Sequence, residues 1–170
     1  MNFFTVKHLI FCFIVLCSFC FHGCATLSDK EHLMPFDQQY IIHSLGKGWE
    51  VLQEEREGFS LWNEKYPATI VIIYSPLNNE KQTSDILNHQ LFIGIGNKNV
   101  LLKEPSSIDG KEAMHSLLQG ELDDKKFKFD SYIIKGNDFV CDIVYFAPPD
   151  LFDSAHNDFR ELIKTFHFLR

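Results

Sequence analysis

The stretch Phe139–Phe146 restricts the possible folds more than any other part of the chain. It reads FVCDIVYF. In a strand, alternate residues point to opposite faces. Phe139, Cys141, Ile143 and Tyr145 then share one face, and Val140, Val144 and Phe146 share the other. Apolar residues on both faces predict a central strand covered on both sides. Asp142 interrupts the second face, and a carboxylate there needs a partner or an opening to water. This strand ends a series of β-like stretches: Val100–Leu102, Ala113–Leu122, Phe127–Ile134 and Phe139–Phe146. Turn signals separate them at Asp109-Gly110, Asp123-Asp124-Lys125 and Gly136-Asn137-Asp138. The pattern is an antiparallel meander.

Upstream, Tyr40–Leu45 reads as a first strand, Gly46-Lys47-Gly48 as a turn, and Trp49 as a core anchor. Phe59–Asn63 alternates apolar and polar residues. After the break at Lys65-Tyr66-Pro67, Ala68–Tyr74 is rich in β-branched residues and pairs with it as a hairpin. Thr83-Ser84-Asp85 offers a helix cap. Leu87, Leu91 and Ile95 form a stripe at four-residue spacing, closed by Gly94 and Gly96. A second amphipathic helix follows Pro148-Pro149-Asp150, with Phe152, Ala155, Phe159, Leu162, Ile163 and Phe166 on its apolar face. Proline suits the first turn of that helix, and Ser154 would cap a second segment if the first turn is separate. The predicted class is α+β: an antiparallel sheet of about six or seven strands flanked by helices.

The first 23 residues stand apart from this domain. Lys7 and the α-amino group precede an uncharged apolar run, Leu9–Phe21, the layout of a secretory signal. The run is shorter than the roughly 20 residues a membrane-spanning helix needs. Phe21-His22-Gly23-Cys24 resembles the lipobox of bacterial lipoproteins. Gly23 and Cys24 fit its pattern, and Phe21 and His22 replace its usual Leu and small residue. Cys12, Cys17 and Cys20 fit less well, because no small residue precedes them. The resemblance implies a diacylglyceryl thioether on Cys24, cleavage before it, and N-acylation of the new terminus. Three acyl chains exceed the two signals that stable anchoring requires. In enterobacterial sorting, Asp after the lipidated Cys favours the inner membrane, so Ala25 points to the outer one. An uncleaved signal anchor is the competing reading.

The expected organisation is therefore 1–23 signal peptide, 24–38 lipidated Cys and tether, and 39–170 folded domain. The tether segment 25–38 spans at most about 45–50 Å when extended. The whole chain has net charge −7, with 45% hydrophobic and 23% charged residues. That excludes a disordered chain and leaves no general basic footprint for nucleic acid. Loss of residues 1–23 removes one Lys and no acid, so the remainder is one charge more negative. Acyl chains, not a basic surface, would hold it to a membrane. Cys141 is left without a partner for a disulfide and reads as a buried core thiol.

The order of residues resembles the PsbP/Mog1-like family, and more closely the small bacterial lipoproteins built on that fold. The resemblance rests on Gly48-Trp49, Gly110-Lys111-Glu112-Ala113, Asp130-Ser131-Tyr132-Ile133-Ile134, Asp142 to Pro149, Phe152, Phe159 and Lys164-Thr165-Phe166. Gly46-Lys47-Gly48-Trp49 stands where the family often has Pro-x-Gly-Trp. These are packing and turn positions that carry no chemistry. The resemblance implies an α/β/α sandwich serving as a non-catalytic accessory or binding domain, although a fold alone does not fix a function.

Motifs for chemistry are sparse. The histidines beyond the signal are His32, His43, His89, His115, His156 and His167. None shows HExxH or zinc-finger spacing. Asp123-Asp124 with Glu121 offers oxygen ligands for a hard cation, but reads more simply as a solvated hairpin tip balanced by Lys125, Lys126 and Lys128. Gly94-Ile95-Gly96-Asn97 lacks the third glycine of a phosphate loop and follows a helix, so it is rejected. Ser106, Ser107 and Ser116 sit in no nucleophile elbow. Asp142 is the leading single candidate for a functional group.

The expectation is a lipid-anchored, non-catalytic envelope protein that binds or assists another envelope component. It has no expected cofactor, metal ligand set or nucleic-acid partner, and its oligomeric state is open. The alternative is a periplasmic small-molecule or metal binding protein with a pocket at His115, Asp142 or a neighbour. A hydrolase ranks third.

Overall fold

A computed structural model describes residues 40–41, 45–55 and 58–169. The signal segment, Cys24, Ala25, the tether, His32 and His43 lie outside the described residues.

Nine strands and two helices are present among them: β1 (Tyr40–Ile41), β2 (Trp49–Glu55), β3 (Gly58–Asn63), β4 (Ala68–Pro76), α1 (Ser84–Leu91), β5 (Gly96–Ile108), β6 (Lys111–Leu122), β7 (Lys125–Lys135), β8 (Phe139–Ala147), α2 (Phe152–Thr165) and β9 (His167–Phe168). Strands β2 to β8 form one antiparallel sheet in the order β2-β3-β4-β8-β7-β6-β5, and β1 pairs with β9 in a separate ribbon. The chain meanders from β2 to β4, crosses through α1 to the far edge, and returns through β5, β6 and β7. The two meanders meet where β4 pairs with β8, with Ile72 opposite Ile143. β8 is thus central, as its two apolar faces require.

The helices cover opposite faces. Phe152, Phe159 and Leu162 of α2 pack in the main core with Ile70, Ile72, Cys141, Ile143 and Tyr145. Leu87 of α1 packs with Ile133 and Val140, which face the other way. Each fully buried large side chain contributes about 1.5–3 kcal/mol. The buried Tyr145 hydroxyl donates to the Phe152 carbonyl at 2.6 Å, so its polar tip is satisfied. Trp49 is likewise buried, and its indole N–H donates to Asp158 Oδ2 on α2 at 3.0 Å. A Cβ on Gly46 would lie 2.5 Å from that same oxygen, so a larger residue there would push the Asp158 carboxylate aside.

Several local expectations change. The stretch after Trp49 is a full strand, β2, hidden in the sequence because a bulge between Val51 and Gln53 breaks its alternation. β5 runs 13 residues and not merely Val100–Leu102. As an edge strand it buries little, so most of it lacks an apolar pattern. α1 stops at Leu91, and Gly94 takes φ 98°, so Ile95 lies beyond the helix. Pro148 lies ahead of α2, where Leu151 N–H donates to its carbonyl at 3.0 Å. Ser154 sits inside the first turn of one continuous helix and does not cap it. No helix among the described residues is long and apolar enough to cross a membrane.

Candidate functional site

Two tight turns align a row of ionisable side chains. Asp123 and Asp124 join β6 to β7 with φ of 49° and 60°. Positive φ at both positions gives a loop whose twist matches the strands. It sets Leu122 opposite Lys125, and therefore His115 opposite Tyr132 and Leu117 opposite Asp130. Asp109 (φ 49°) and Gly110 (φ 73°) do the same between β5 and β6, setting Glu104 opposite His115. Glu104, His115 and Asp130 consequently share the face under α2, and α2 brings His156 over them.

Asp130 is gripped from both sides. Its Oδ1 is 2.8 Å from His115 Nε2 and its Oδ2 is 2.6 Å from His156 Nε2. Its side chain is only 6% exposed. His115 Nδ1 lies 3.5 Å from Glu104 Oε1, and the ring stacks on Tyr132 at 4.3 Å between centroids, 3° from parallel. Burial would push the Asp130 carboxyl up, but hydrogen bonds and charge from the two imidazoles outweigh it and hold it below its ordinary 3.8. Burial pushes His115 down, yet Asp130 and then Glu104 leave it raised above 6.5. Burial, reinforced by the charges of Asp130 and Glu104, pushes Tyr132 up to about 12. With carboxylates near both its nitrogens, His115 is favoured as an imidazolium, a poor general base. The row ties the sheet to α2.

The opposite face is polar in a different way. Ser84 Oγ of α1 donates to Glu112 Oε1 at 2.5 Å, and Ser116 Oγ donates to Asn88 Oδ1 at 3.0 Å. Asp142 lies on this side, opposite Ile73 and Ile133, and lines a small pocket with Gln82 and Gln90. His115 and Asp142 therefore stand on opposite faces of the sheet. Of the two candidates for a pocket, Asp142 lines one beside α1 and His115 lies on the face under α2.

The remaining sequence candidates have structural duties. Asp123 and Asp124 supply the exposed turn, while Glu121 Oε2 accepts from Asn97 Nδ2 at 2.6 Å. Lys128 Nζ sits 4.3 Å from the centre of the Phe152 ring. Cys141 is fully buried, and burial raises its thiol well above the usual range. His167 Nδ1 is 3.2 Å from Asp109 Oδ1, and His89 is exposed on α1. No cluster of three His, Cys, Asp or Glu able to hold a metal occurs among the described residues.

Sequence reasoning missed Asp130, treating it as a packing position. The signal was present. Counting back from a two-residue turn at Asp123-Asp124 places Asp130 diagonal to His115 on one face, within side-chain reach. His156 had no such signal, since only the packing of α2 brings it there.

No family model matches the chain, and no curated protein matches it. Solved structures do. The crystal structure of LpqN, involved in cell envelope biogenesis of Mycobacterium tuberculosis, superposes with a TM-score of 0.61 at 14% identity, covering 77% of this chain and 83% of that one. The solution structure of the cyanobacterial PsbP of Synechocystis gives 0.61 at 11% identity, covering 86% and 98%. At such identities the likeness speaks for architecture alone. The fold is α+β and PsbP-like.

Proposed function

We propose that this chain is a lipid-anchored, non-catalytic protein of the bacterial cell envelope, whose PsbP-like domain binds another envelope component. The lipobox resemblance at Cys24 supports the anchor, and Ala25 favours the outer membrane. The fold shared with LpqN supports the envelope setting. The use of His115 and His156 on one carboxylate, and the burial of Cys141, support a role without catalysis.

The observation that carries the binding role is a set of large apolar side chains left in solvent between Ile86 and Leu101. Ile93 is 64% exposed, Val100 55%, and Ile86 and Leu101 46% each. Single exposed apolar residues are ordinary, but one from α1, one from the turn after it and two from the edge strand β5 together fit a modest interface. Two measurements test the reading. The N-terminal peptide from membranes should begin at acylated Cys24; one beginning at Met1 without lipid overturns the anchor. Ile93→Ala combined with Leu101→Ala should abolish in-cell cross-linking to the partner while shifting the melting temperature by less than about 2 °C, since surface changes cost within about 0.5 kcal/mol. Cross-linking that survives both substitutions rejects this surface.

A further inference from the structure

We propose that His115 is a pH-sensitive pin for the edge strand β5: as an imidazolium it holds Glu104 and Asp130 at once, and on losing one proton it keeps Asp130 and releases Glu104. This goes beyond the accessory role and depends on neither the anchor nor the exposed apolar residues. Only the charged form of an imidazole carries a proton on both nitrogens, and an ionised carboxylate accepts without donating. His115 turns one nitrogen to each of two carboxylates. Its Nε2 is 2.8 Å from Asp130 Oδ1 on β7, and its Nδ1 is 3.5 Å from Glu104 Oε1 on β5. Both contacts are attractive only while His115 is charged. His156 of α2 differs, because it meets Asp130 alone, through Nε2 at 2.6 Å. One proton serves that bond in either charge state.

Burial decides which contact of His115 survives. The Asp130 side chain is 6% exposed and that of Glu104 is 55% exposed. Stripping a donor from the buried carboxylate leaves it without solvent, whereas Glu104 regains water. The proton that leaves is therefore the one on Nδ1, and it passes to solvent on the Glu104 side. The Nδ1 lone pair then faces the Glu104 carboxylate, acceptor against acceptor, and Glu104 turns to water. The ring stays in place, because Tyr132 of β7 stacks on it at 4.3 Å. The other ionisable groups around the row are Tyr132 itself, Tyr145 of β8 and Arg160 of α2. Burial raises both tyrosines, and an arginine keeps its charge, so none of the three switches where a histidine does. On the other face of β5, Lys103 pairs with Asp85 of α1. The strand is thus pinned from both faces at acid pH and from one at alkaline pH. The freed carboxylate stands on the same edge strand as Val100 and Leu101.

The test is a pH titration of the full-length protein in detergent micelles between about pH 5 and 9, which brackets a histidine. Nuclear magnetic resonance follows the ring nitrogens of His115 and the side-chain carboxyl carbon of Glu104. Above the His115 midpoint, Nε2 should keep its proton and Nδ1 should lose it, and the Glu104 carbon should move with the same midpoint. Glu104→Gln, a change at an exposed side chain, should lower that midpoint by about 0.5 pH unit, as fits a half-exposed ion pair. Asp130→Asn should lower it by about one unit or more, because that carboxylate is buried against the ring. A proton left on Nδ1 above the midpoint would overturn the proposal, since Glu104 would then be the contact retained. So would a Glu104 carbon that does not move with His115, or an unchanged midpoint in Glu104→Gln.

Discussion

The two faces of the sheet are covered by helices of very different reach. α2 is 14 residues long and buries Phe152, Ala155, Phe159, Leu162 and Ile163 in one continuous aromatic core. α1 has eight residues, and its face divides into two small clusters, around Phe129 and around Ile133. On the α2 side the ionisable groups satisfy one another beneath the helix. On the α1 side polar groups form seams, Ser84–Glu112 and Ser116–Asn88, and border the Asp142 pocket. Stability is thus concentrated on one face and recesses on the other, a division expected where binding surfaces come from the less stable parts of a fold.

Truncation of one anchor on each face tests this division most strongly. Phe159→Ala should cost about 3–5 kcal/mol, because the ring is fully buried among aromatic neighbours that cannot collapse into the gap. Leu87→Ala should cost about 2 kcal/mol, the low end for a buried leucine, since its cluster is small and near solvent. Urea denaturation of both proteins would measure the difference. Equal losses would mean that the two faces contribute alike.

The ionisable row gives the next effect. Asp130→Asn should cost about 2–3 kcal/mol near pH 5.5, since it leaves His115 and His156 facing a neutral amide in a half-buried site. The wild-type contribution has two edges. Asp130 has a depressed folded pKa, so its part is complete above 3.8 and is lost as pH falls further. His115 has a raised folded pKa, so its part is complete below 6.5 and is lost as pH rises through the folded value. The row therefore stabilises most between 3.8 and 6.5. Melting curves at pH 5.5 and 8.5 should show the wild type losing stability on the alkaline side, and Asp130→Asn should flatten that loss. An unaltered slope would mean that Asp130 does not govern His115.

Legibility in the sequence follows the same division. Elements that bury a continuous face declared themselves: β8 by its two apolar faces, β4 by its β-branched run, and α2 by the stripe from Phe152 to Phe166. The hairpin turns were legible because Asp109-Gly110 and Asp123-Asp124 tolerate positive φ. Elements at the margins were not. β5 is an edge strand with one buried residue, Ile108, so it carries no alternation to detect. β2 loses its period at the Leu52 bulge. Asp142 was rightly marked as an interruption of the β8 face that borders an opening, but its companions there, Gln82 and Gln90, are ordinary polar residues with no spacing of their own. Asp130 and His156 meet only through tertiary packing, across 26 positions of sequence.

The smallest effect is also the finest probe of how far the two faces are independent. Thr83 caps α1: its Oγ1 accepts from Ile86 N–H at 3.3 Å, satisfying one of the donors left open at a helix start. A helix of two turns cannot persist on its own in water, so α1 relies on this cap, on the Asp85–Lys103 ion pair and on Leu87. Thr83→Ala should cost about 0.5–1 kcal/mol. Because the lost bond is local, hydrogen exchange should accelerate at the amides of Leu87 to Leu91 and stay unchanged at Ile70, Ile72 and Ile143. That outcome would show α1 opening while the β4–β8 centre remains closed, which is the freedom a recess beneath α1 requires. Acceleration by the same factor at the central strands would mean that α1 and the sheet unfold only together, and the contrast between the two faces would then be one of packing without a difference in motion.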